Sequence, residues 1–108
     1  MPSEKFIKVH PLFFKHIKGM KPVTLAVLSA VMLKVLDKFE SRPIIWLTHE
    51  DASGILLKHR YFTREEIEKF TSSRFSEGIR DLIERGLLER TEKRFMYKYN
   101  RNYFKSGI

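Results

Sequence analysis

The chain has 108 residues, 43% of them hydrophobic, a formal net charge of +8 and no cysteine. That length holds one domain with a real but small core, and the lack of cysteine excludes a disulfide framework, thiolate-held zinc and a thiol nucleophile. The charge excess sits at the two ends: residues 1–22 carry five Lys and one Glu, residues 23–92 eleven Lys/Arg against twelve Asp/Glu, and residues 93–108 five Lys/Arg and no acid. Solubilising charge would intersperse acids in the ends as in the middle, so this partition favours a polyanion partner.

In chain order, Met1–Lys5 reads as a frayed tail, and Phe6–Val9 as a short edge strand limited by Pro11. Leu12–Met20 follows as a helix, apolar at Leu12, Phe13, Phe14 and Ile17, which we expect to pack on the core rather than lie on a membrane. Gly19 ends it. Pro22 then opens a long helix over Val23–Glu40 in the first-turn position that tolerates proline. Its apolar residues extend over more than half the circumference, so the helix is either central to the core or paired with a second copy, which leaves a homodimer open. Thr24, Ser29, Lys34, Asp37 and Lys38 interrupt that apolar stretch, so it cannot serve as a membrane span. With no signal-peptide pattern at the N-terminus either, a cytoplasmic location is the expectation.

Ile44–Thr48 has the β-branched and aromatic content of a buried strand. Asp51–Gly54 reads as a turn and Ile55–Tyr61 as a returning strand, with a short helix over Glu50–Leu57 as the competing assignment. At Thr63, a Glu three residues on makes a capping box, flanked by Phe62 and Ile67 as a hydrophobic staple. The helix it opens, Arg64–Phe70, ends in a Thr71–Ser73 turn that supplies a new N-cap. In the next helix Phe75, Ile79, Leu82 and Ile83 form one apolar stripe, closed by Arg85 and Gly86. Gly78, inside that helix, suggests close packing against the preceding one. Leu87–Arg90, a turn at Thr91–Arg94 and Phe95–Tyr99 make a hairpin with Phe95, Tyr97 and Tyr99 on its core face. Tyr103 and Phe104 are expected to dock.

Two short helices joined by a tight turn, the second running into a strand and hairpin (FTREEIEKFTSSRFSEGIRDLIERGLLER, residues 62–90), resemble the helix-turn-helix of a winged-helix domain. The resemblance implies an α+β fold of a three-helix core with helix-turn-helix and a C-terminal β-hairpin wing over 87–99, with an extra N-terminal strand and helix, all in one domain over 1–108. It also implies that the second helix enters the major groove of double-stranded DNA while the wing contacts the backbone. On the recognition helix, Ser72, Ser73, Arg74, Ser76 and Arg80 offer donors, and Glu77 can accept from cytosine N4. On the wing and tail, Lys93, Arg94, Lys98, Arg101 and Lys105 supply cations. The acids further along the helix, Asp81 and Glu84, oppose groove reading and keep a second reading open, a winged helix used as a protein-binding module.

FIKVHPLFF near the start, TREEI and YNRNYFKSG near the end are similar to segments of RepL-type plasmid replication proteins of firmicutes. That resemblance implies a transcriptional or replication-control role on a plasmid or virus. No catalytic residue, cofactor or small-molecule ligand is expected. His10, His16, His49 and His59 lack zinc-site spacing, and His49-Glu50-Asp51 reads as a solvated loop rather than a metal site.

Overall fold

The computed structural model describes residues 7–37 and 42–106. The expectations for Met1–Lys5, Phe6 and the end of the long helix at Phe39–Glu40 lie outside the described residues. Among the described residues, five helices and two small antiparallel sheets form an α+β fold in the order β1 (Ile7–Val9), α1 (Leu12–Ile17), α2 (Pro22–Leu36), β2 (Ile44–Trp46), α3 (His49–Lys58), α4 (Arg64–Lys69), α5 (Ser72–Glu84), β3 (Leu88–Arg90), β4 (Met96–Tyr99) and β5 (Phe104–Ser106).

The centre of the fold is α2. Thr24, Ala26, Val27, Leu28, Ala30, Val31 and Val35 are all buried, so the broad apolar circumference is covered by the chain's own α3, α5 and strands. Across α2 lies α5, and the crossing is close because residue 78 is glycine. A Cβ there would meet Val27 Cγ2 at 2.5 Å, Val27 Cβ at 3.0 Å and the Val23 carbonyl at 3.2 Å. The close approach foreseen at Gly78 is thus to α2, not to α4.

Residues 51–58 belong to α3 rather than to a turn and strand, and residues 59–61 turn the chain toward α4. Thr48 and Asp51 make a capping box: Thr48 Oγ1 accepts from the Asp51 N–H at 3.0 Å, and Asp51 Oδ2 from the Thr48 N–H at 3.3 Å. Ala52 and Leu56, one helical turn apart, are both fully buried. A β-carbon at Gly54 would meet nothing within 4 Å, so that glycine marks no turn and no close contact. The shorter helix assignment is the one realised. His49 and Asp51 accordingly sit in a helical first turn, not a loop. The His49 Nε2–H donates to the Phe70 carbonyl at 2.6 Å.

With α3 a helix, β2 finds its partner in β4, and the sheet order is β2-β4-β3. In register, Ile45 faces Tyr97 and Tyr97 faces Arg90, while Ile44, Lys98 and Glu89 align on the opposite face. Alternation therefore sends Ile45, Tyr97, Tyr99 and Leu88 to the core and leaves Trp46 and Lys98 outside. Phe95, expected within the strand, precedes it with φ of +66°. At the hairpin tip, Thr91 Oγ1 accepts from the Lys93 N–H at 3.2 Å and donates to the Met96 carbonyl at 2.9 Å, which orders the turn.

The ends of the described chain meet in the second sheet, where β1 pairs with β5 and Lys8 stands opposite Lys105. Phe104 docks as expected, stacked on Tyr99 with ring centroids 5.6 Å apart and edge-on to Phe13 at 5.7 Å. Helix α1 is shorter than expected, since Lys18 is already extended (φ −61°, ψ 129°) before Gly19 turns the chain at φ +76°. Its Phe13 is buried, whereas Leu12 and Phe14 are exposed.

Candidate nucleic-acid interface

Both helices of the pair begin on side-chain caps. Thr63 and Glu66 form the anticipated capping box at 3.2 and 3.0 Å, and Thr71 Oγ1 accepts from the Arg74 N–H at 3.3 Å. The connection is only Phe70 and Thr71, so Ser72 and Ser73 belong to α5 rather than to a turn. With Phe75, Gly78, Ile79 and Leu82 buried, the helical period leaves Ser72, Ser73, Arg74, Ser76, Glu77 and Arg80 exposed.

Those six do not share one surface. Ser72, Ser76 and Arg80 line a groove of about 500 Å³ whose other walls are the first turn of α3 and the hairpin, with Arg90, Arg94, Phe95 and Tyr97. Lys93 adjoins it at the hairpin tip, beside Ser76, Arg90 and Arg94. Arg74 lies on the other flank of α5, in a concavity with Phe62, Glu66 and Lys69. Ser73 and Glu77 are exposed on α5 outside the groove, and Glu77 makes a solvent-exposed 3.6 Å ion pair with Lys21, a contact worth little. Lys98 and Arg101 line a separate concavity with Pro43 and Asn100, and Lys105 joins Lys8 and Arg101 beside β1. The basic tail therefore does not extend the groove.

Arg90 joins the groove in addition to the cations expected from the sequence. Its signal was present, because strand alternation in LER (residues 88–90) puts Arg90 on the same face as Leu88 and, through the register, beside Tyr97. The Tyr97 phenol reports that neighbourhood: burial raises its pKa above the ordinary 10.0, while the positive charges of Arg90 and then Arg94 pull it down. It stays protonated at neutral pH and can donate a hydrogen bond. Among the described residues no carboxylate lies within ion-pair distance of Arg80, Arg90 or Arg94. Glu50 is the acid on the groove wall.

Asp81, counted among the acids of the exposed face, is half-buried and occupied. It accepts from Thr24 Oγ1 at 2.8 Å and from Arg85 Nε at 3.1 Å, and Arg85 also donates to the His16 carbonyl at 2.7 Å. This network ties α5 to α2 and to the end of α1. Thr24 is fully buried, so Asp81→Ala strands its hydroxyl. We expect a loss of about 1–3 kcal/mol, read as a lower urea midpoint with unchanged slope; a midpoint matching the native protein would show the network to be dispensable.

The described residues hold no cluster of metal-ligating side chains and no helix long and apolar enough to cross a membrane. No family model, curated protein or solved structure matches the chain.

Proposed function

We propose that the chain is a winged-helix protein that binds double-stranded DNA, with α5 in the major groove and the β3–β4 hairpin against the sugar-phosphate backbone. The observation that carries this reading is the groove in which α5 and the hairpin present Arg80, Arg90 and Arg94 together, without ion-pair partners among the described residues. Support also comes from element order, since a central helix, a strand, the helix α3, a capped helix pair and a hairpin that closes a β2-β4-β3 sheet include the parts such a domain needs. At thirteen residues, α5 is about 20 Å long, and its exposed N-terminal half is the part that reaches base edges in this architecture. Phosphate contacts from the arginines and Lys93 would orient the protein, and Ser73, Arg74 and Glu77 are the candidates for reading sequence. A regulatory or replication-control role on a mobile element, cytoplasmic and nucleoid-associated when bound, goes with this reading.

The test is titration of a generic duplex at increasing salt. Neutralising about five phosphates gives a log-log slope near −4 to −5; a flat dependence would sink the proposal. One observation favours the second reading, a protein-binding module, namely Glu77 and Glu84 on the exposed face of α5. A protein partner lost on Glu77→Ala with Glu84→Ala, with no duplex affinity, would establish it. Asp81 is unsuitable for that test because its loss perturbs the fold.

A further inference from the structure

We propose that the outer face of the β2-β4-β3 sheet, built on Trp46 and Phe95, is a stacking site for an unpaired nucleobase of single-stranded nucleic acid. Trp46 is 49% exposed although it belongs to a strand. Alternation explains how: Ile45 fills the core position, and Trp46 pairs in register with Met96 on the opposite face. Phe95 stands edge-on to Trp46 at 6.0 Å, and the Arg94 guanidinium lies over the Phe95 ring at 4.8 Å.

The backbone geometry is informative. A bulky residue at positive φ is unfavourable, yet Phe95 adopts +66°, and the resulting position brings its ring between the indole and the guanidinium. The indole keeps a large exposed surface on which a base can stack. The charges around it choose the occupant. Lys93 and Arg94 at the tip and Lys98 along β4 are exposed, with Glu89 opposite Lys98 and Glu92 in the turn as the acids nearby. An apolar protein segment would desolvate those cations without compensation, whereas a nucleotide brings a π-face for the indole and a phosphate for the cations in one unit. Such stacking tolerates any base, because every base has a π-face. This site does not require α5 to read a duplex.

Trp46 is the chain's single tryptophan, so its emission reports occupancy directly. Titration of the full chain with oligothymidylate is expected to quench it saturably, and Trp46→Ala to weaken single-strand binding about 5- to 100-fold. Trp46→Phe, which keeps a ring, should recover most of the affinity, and duplex affinity should be unchanged by either substitution. Binding of oligothymidylate without quenching, or equal losses on single strand and duplex, would overturn the site. Single-strand quenching without duplex affinity would sustain it while removing the duplex reading, and failure to bind either nucleic acid would remove both.

Discussion

Replacing Arg80, Arg90 and Arg94 together by alanine is expected to weaken duplex binding about 100-fold at 0.15 M salt. Each phosphate contact contributes a slope of about 0.9 in log affinity against log salt, which at that concentration is worth roughly fivefold, and three contacts multiply. The salt slope itself should become shallower by roughly 2 to 3. All three side chains are exposed, so stability should change little apart from the Arg94–Phe95 contact, worth about 0.5–1 kcal/mol at an exposed site. The informative control removes the same charge elsewhere. Lys98, Arg101 and Lys105 line different concavities, and their triple alanine variant should cost distinctly less on duplex DNA. If both variants lose affinity equally, attraction to DNA follows net charge and the groove has no special part in it.

Gly78→Ala should destabilise the fold by about 2 kcal/mol, even though alanine is favoured over glycine inside a helix by about 1 kcal/mol. The added methyl would fall 2.5 Å from Val27 Cγ2 and 3.2 Å from the Val23 carbonyl. Valine in a helix holds essentially one rotamer and a helical carbonyl cannot retreat, so α5 itself must move, at the upper end of the 1–3 kcal/mol typical of overpacking. For a domain of this size that lowers the melting temperature by about 10 °C. Combining the change with Val27→Ala should recover part of the loss, because the two sites share one contact. A melting temperature at or above that of the native protein would mean that the helices can part freely. The same displacement would shift Ser76 and Arg80 against the hairpin, so duplex affinity should fall with stability.

Much of the local structure was legible because it depends on near neighbours. The capping box at Thr63, the apolar stripe of α5, the glycine after Arg85 and the hairpin alternation each involve residues within a turn or two, where hydrogen-bond geometry and periodicity act directly. Over residues 51–58 the sequence leaves turn-and-strand and helix in competition, because the capping box at Thr48 uses aspartate and Gly54 resembles a turn signal. The exposed face of α5 followed from its period, except at Asp81, which lies at the edge of that face. What turned it inward was a hydroxyl 57 residues away on α2.

By itself, the sequence determined the order and type of most elements, the concentration of positive charge at the two ends and the burial stripe of α5, since all of these follow from composition, spacing and local hydrogen bonding. Tertiary structure alone decided which cations stand together. Arg80, Arg90 and Arg94 meet only because α5 is seated on α2 through Gly78 and the hairpin is registered on β2, whereas Lys8 and Lys105 meet through the pairing of β1 with β5. Charge in a sequence has a position along the chain, but its neighbours are set by packing between residues tens of positions apart, and no local rule encodes those distances.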